Sequence, residues 1–99
     1  MPDNQSPHHL PNAKFPTGQL CIAPNALRQI GLEDFTEALR RHVTGDWGEV
    51  DAHDRKANDD ALREGSRIFS VYRAQNGIKF WVITEADRTV TTILLPEDY

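Results

Sequence analysis

Four side chains of this 99-residue sequence, His42, Arg67, Tyr72 and Glu85, carry the groups needed for acid–base chemistry on a phosphodiester. Cleaving RNA without a metal requires a base for the 2′-hydroxyl, an acid for the leaving oxygen and a cation for the phosphate. Between them the four residues can supply those roles. They also have a plainer reading, which is preferred. Arg67 and Glu85 can pair across the open end of a hairpin, and Tyr72 and Trp81 can form a stabilising cross-strand aromatic pair.

A second set of residues is equipped to bind rather than react: Trp47, Asp59, Asp60, Tyr72, Trp81 and Arg88. Trp47 sits in Gly45-Asp46-Trp47-Gly48, where two glycines allow backbone angles closed to other residues. The expectation is that its indole folds back as a plug over the helices. Asp59 and Asp60 belong to a segment from Asp46 to Glu64 with seven acids and three bases. That segment accounts for the whole formal net charge of -4, and the remaining chain is neutral. It reads as an acidic docking face or, preferably, as a solvated helix with i,i+4 pairs such as Asp51–Arg55 and Asp59–Arg63. The balance of 15 acidic and 11 basic residues argues against a uniformly basic binder of nucleic acid or membrane surfaces.

Metal and nucleophile chemistry finds less support. Asp51, His53 and Asp54 match no ligand spacing that imposes convergence, and His8-His9 is only an adjacent pair. No phosphate loop, G-x-S-x-G, H-E-x-x-H or C-x-x-C occurs. The single cysteine, Cys21, lies between apolar neighbours and reads as a structural thiol. No metal site and no cofactor are assigned.

These residues must be positioned by one small domain. A chain of this length buries roughly 65% of its unfolded surface, enough for one core. Residues 1–16 carry four of the six prolines and read as a flexible tail, leaving 17–99 as a single domain. Gln19 to Ala23 is a short apolar strand. Pro24 opens a first helix that Gly31 stops, and Leu32, Phe35, Leu39 and Val43 give a second helix its apolar stripe. Asp51 can cap a third helix and Gly65 can close it.

The C-terminal third predicts three strands, Arg67 to Arg73, Ile78 to Glu85 and Thr89 to Leu95, the first two joined by a two-residue Asn76-Gly77 turn. That turn sets Val71 opposite Val82 and Tyr72 opposite Trp81. The fold class expected is therefore α+β. An N-terminal strand and about three helices precede a three-stranded antiparallel β-meander, to which the first strand can add. An exposed edge at Thr89 to Leu95, or at Arg67 to Arg73, is available for pairing with another copy.

Two resemblances bear on function. Helices followed by an antiparallel sheet are broadly similar in architecture to the barnase- and RelE-like ribonucleases. More specifically, the block His42 to Gly48 (HVTGDWG), the block Gly65 to Tyr72 and the stretch Trp81 to Arg88 through Leu94 to Tyr99 resemble a family of small bacterial proteins carried on plasmids and integrative elements. That resemblance spans roughly Gly18 to Tyr99. It implies a mobile-element setting and supplies no catalytic residues. The sequence is accordingly read as a cytoplasmic accessory or interaction protein of a mobile element, with a macromolecular partner, preferably a protein. The alternative is a metal-independent ribonuclease acting on RNA. No membrane partner is expected, because no apolar run is long enough to span a bilayer.

Overall fold

The computed structural model describes residues 12–99. Its elements are β1 (Gln19–Ile22), α1 (Pro24–Gln29), α2 (Leu32–Val43), α3 (Ala52–Glu64), β2 (Ile68–Arg73), β3 (Lys79–Thr84) and β4 (Val90–Leu94), with a 3-10 turn over Pro96–Asp98. The chain is α+β, as expected. Its sheet, however, is four-stranded and mixed, in the order β1-β4-β3-β2. β2, β3 and β4 form the expected meander, and β1 adds parallel to β4, from Gln19 opposite Val90 to Ile22 opposite Ile93.

Local chemistry explains the helix boundaries. Pro24 occupies the first turn of α1, where its missing N–H costs nothing. Glu33 and Asp34 begin α2, and Arg40 and Arg41 end it, matching the helix dipole. The Asp51 carboxylate caps α3 by accepting the Asp54 N–H at 2.8 Å, and Gly65 closes it with φ at 74°. The expected pairs Asp51–Arg55 and Asp59–Arg63 do not form. Asp51 serves as the cap, and Asp59 accepts the Trp47 indole N–H, so Asp60 takes both Lys56 and Arg63 instead.

The hairpin register differs by one residue from that expected. Val71 lies opposite Trp81, and Tyr72 opposite Phe80. Ala74 pairs with Ile78 while the Gly77 N–H returns to the Ala74 carbonyl, so Gln75, Asn76 and Gly77 together span the turn. Gly77 adopts φ of 89°, as a three-residue loop matched to strand twist requires. The Asn76 carboxamide accepts the Ile78 N–H and donates to the Gln29 carbonyl, tying the loop to the end of α1. A one-residue shift exchanges the faces of a strand. Tyr72 and Trp81 are therefore on opposite sides of the sheet, and no aromatic pair joins them.

One face carries Tyr72, Phe80, Val82 and Ile93 and is covered by Ala26 of α1, Ile30 just past its end, and Phe35 and Ala38 of α2. A second cluster gathers Val43, Trp47, Val50, Ala61, Ile68 and Val71, together with Phe15. Phe15 is buried there, and the Lys14 N–H bonds the Val43 carbonyl at 2.7 Å, so packing begins before Thr17. Lys14 and Phe15 therefore pack with the domain, inside the stretch of residues 1–16 expected as a tail. Its first eleven residues, with His8 and His9, lie outside the described residues.

Neither edge expected for pairing is free. β4 is interior, and the outer edge of β2 is covered. Val71 donates to the Trp47 carbonyl and accepts from the Glu49 N–H, while Asn58 of α3 engages both backbone groups of Phe69. The approach at Val71 demands glycine at position 48. Its φ is 75°, and a Cβ there would sit 1.9 Å from the Val71 carbonyl oxygen.

Candidate functional site

The spacing of Phe35, Ala38 and His42 places all three on the buried stripe of α2. His42 is fully buried, and both ring nitrogens have partners. Nδ1 lies 2.6 Å from the Ser70 hydroxyl and Nε2 lies 2.9 Å from the Thr84 hydroxyl. The Thr84 and Thr91 hydroxyls are 2.7 Å apart, and Thr91 donates to the Thr17 carbonyl at 2.7 Å.

That last bond orients the whole chain of protons. A carbonyl only accepts, so the Thr91 hydrogen is committed to Thr17. Thr84 must then donate to Thr91 and accept from Nε2–H, which leaves Nδ1 to accept from Ser70. Burial, aided by the Arg88 guanidinium, pushes the imidazole pKa down to about 3. The result is a neutral, single-tautomer histidine that locks α2 to three strands of the sheet.

The four residues considered for RNA chemistry do not line one cleft. His42 of α2 and Tyr72 of β2 are both buried. Tyr72 donates to the Asp46 carbonyl at 2.6 Å, burial raises its phenol pKa, and the Arg41 guanidinium lies 4.9 Å from its ring centroid. Arg67 and Glu85 instead form an exposed pair at 3.4 Å, across the open end of the hairpin as expected. Arg67 also donates to the Tyr99 hydroxyl at 2.7 Å.

Most of the residues considered for binding are likewise engaged in the fold. Trp47 is the expected plug: it is buried, and its N–H reaches Asp59 at 3.0 Å. Asp60 is paired with two cations on its own helix. Arg88, with φ of 63°, donates to the carbonyls of Ser66, Ala61, Glu85 and Ala86 and lies over the Phe15 ring. It fastens the β3–β4 turn to the end of α3. Among the described residues, no three His, Cys, Asp or Glu side chains converge as metal ligands.

Trp81 is placed differently. On the sheet face away from α1 and α2, Arg67, Phe69, Trp81, Ile83 and Tyr99 line an open groove of about 250 Å³. Phe69 meets Trp81 edge-on at 5.0 Å, and Tyr99, brought over by the 3-10 turn, meets the other side of Trp81 at 5.5 Å. Tyr99 is 68% exposed. The one-residue register shift puts Phe69 and Trp81 together here, which is why Tyr72 is not part of the surface.

Sequence reasoning misses Asn58 and Thr91, and it places Ser70 and Thr84 among the polar groups on or beside the sheet without pairing them with His42. A signal existed for each. Asn58 precedes Ala61 and Leu62 by three and four residues, which puts it on the apolar side of α3. Ser70 and Thr84 alternate with Tyr72 and Val82 and so share the covered face. The chain matches no family model, no curated protein and no solved structure. No helix of the described residues is long and apolar enough to cross a membrane.

Proposed function

We propose that this is a small accessory protein that acts by binding another protein through the groove between Trp81 and Tyr99. The setting, a bacterial mobile element, rests on the resemblance of the HVTGDWG block and the sheet blocks. The observation that carries the binding reading is the groove itself: three aromatic rings and an aliphatic wall on the sheet face opposite α1 and α2. Aromatic side chains with one polar tip, beside an arginine, are the residue types that dominate protein-binding hot spots. A branched or aromatic side chain of the partner fits between Phe69, Trp81 and Ile83. Arg67 uses two of its N–H groups on Tyr99 and Glu85 and has others for a partner carbonyl or carboxylate. A phosphate backbone would need a broader set of cations, and the chain is net acidic.

A photo-reactive phenylalanine analogue at position 99, introduced in a bacterial host, tests this reading. The expected result is cross-linking to one discrete protein, with the purified pair weakened at least ten-fold by Trp81→Ala while the circular dichroism of the chain is unchanged. Absence of any cross-linked protein, or unchanged affinity on Trp81→Ala, overturns it. Cleavage of labelled RNA in EDTA that is lost on His42→Ala would overturn it in favour of catalysis.

A further inference from the structure

We propose that the outer edge of β1 is a homodimer interface, at which two copies join antiparallel about a two-fold axis through Cys21. The argument begins from hydrogen-bond parity. The Gln19 N–H bonds the Thr89 carbonyl and the Ala23 N–H bonds the Ile93 carbonyl, so the backbone groups of residues 19, 21 and 23 face β4. Those of Leu20 and Ile22 therefore face outward. Among the described residues none pairs with them. The opposite edge, on β2, is closed by the Trp47–Glu49 backbone and the Asn58 amide. Among the described residues, the fold closes one edge and leaves the other open.

An open edge calls for an extended strand, and β1 is its own best complement. In an antiparallel pair centred on Cys21, Leu20 of each copy faces Ile22 of the other, and all four outward N–H and C=O groups of each copy's two residues are satisfied. Charge permits the approach. The thirteen residues from Phe15 to Leu27 contain no Asp, Glu, Lys or Arg, although the chain carries a net charge of -4. Two like-charged molecules can thus meet at this strand without opposed charges at the contact. Assembly also stops at two. Joining β1 to β1 makes an eight-stranded sheet whose two ends are both the covered β2 edge, so a closed dimer forms rather than a filament.

The register carries its own reporter. Cys21 faces its counterpart at a non-hydrogen-bonded position, where Cα atoms lie about 4.5 Å apart. That separation is within reach of a disulfide. Copper–phenanthroline provides the oxidant that takes two electrons from the two thiols, whose protons are released as the S–S bond forms.

The test uses the full chain. Light scattering and sedimentation from micromolar to millimolar concentration should give twice the chain mass, and oxidation should cross-link that dimer through Cys21. Cys21→Ser should keep the dimer and abolish the cross-link. Cys21→Lys, which sets two ammonium groups face to face, should weaken the dimer at least ten-fold with an unchanged circular dichroism spectrum. Trp81→Ala should leave the dimer intact. A chain that stays monomeric at millimolar concentration overturns the proposal. So does a dimer that resists oxidation, or one that Trp81→Ala dissociates.

Discussion

Asn58 acts toward Phe69 as a neighbouring strand would: its amide nitrogen donates to the Phe69 carbonyl at 2.7 Å, and its amide oxygen accepts the Phe69 N–H at 3.0 Å. One buried side chain thus satisfies two edge groups of β2. Asn58→Leu removes both bonds and leaves a backbone donor and acceptor unpaired against an apolar side chain. The expected cost is ~2–4 kcal/mol, read by urea unfolding. Concentration-dependent light scattering should rise as well, since the β2 edge is then open. A variant as stable and as monodisperse as the parent would show that the amide does not protect the edge.

The buried imidazole predicts a specific pH dependence. His42 has a folded-state pKa of about 3 against 6.5 for a free side chain. A base whose pKa falls on folding binds its proton better in the unfolded chain. Its effect is absent above about pH 6.5, and stability declines as pH drops from there toward 3. Between pH 7.5 and pH 5 the loss attributable to His42 should be about 2 kcal/mol. His42→Gln can still bond the Ser70 and Thr84 hydroxyls and does not titrate, so its urea midpoint should be flatter over that interval. Parallel curves for the two proteins would refute the assignment.

Glycines 48 and 77 both have positive φ, at 75° and 89°, but only one is crowded. Nothing lies within 4 Å of a Cβ at Gly77, so Gly77→Ala should cost only the left-handed backbone term, ~1–2 kcal/mol. At Gly48 a Cβ would collide with the Val71 carbonyl oxygen as well. Gly48→Ala should therefore cost ~3 kcal/mol or more and separate the Trp47–Glu49 segment from β2. Thermal unfolding of the two variants side by side, with hydrogen exchange at the Val71 amide, measures the contrast. Equal costs would mean that the bridge to Val71 contributes nothing.

Two indoles in different environments make the groove observable. Trp47 is buried and bonded to Asp59, whereas Trp81 is only half-buried, beside Tyr99. Trp81→Phe should leave a blue-shifted emission that acrylamide quenches poorly, from Trp47 alone. In Trp47→Phe the remaining emission should be red-shifted and readily quenched. Matching quenching constants would contradict the difference in exposure.

Much of this architecture was legible because its determinants are local. Pro24 and Gly31 bracket α1, Asp51 and Gly65 cap and close α3, and β-branched and aromatic residues mark β2, β3 and β4. The register of the hairpin was not legible from Asn-Gly alone. It depends on Asn76 reaching the Gln29 carbonyl, a contact between residues 47 positions apart. The same nonlocal dependence hid the true environment of His42. Its position after two arginines looks like a charged helix end, while its phase with Phe35 and Ala38 turns it inward to Ser70 and Thr84. The candidate site suffered most, since Tyr72 and Trp81 were read on one face and the register puts them on two.

The parallel pairing of β1 with β4 imposes an order on folding. β4 lies between β1 and β3, yet among the four strands of the sheet it comes last in the sequence. Until residues 90–94 exist, the strand over 19–22 has no partner in the sheet, and β3 presents an unsatisfied edge. Closing that pair spans some seventy residues of chain, so its loop-closure entropy cannot be recovered from local contacts. In a nascent chain, therefore, the strand over 19–22 can enter the sheet only once residues 90–94 have been made, and its pairing with β4 brings together segments some seventy residues apart.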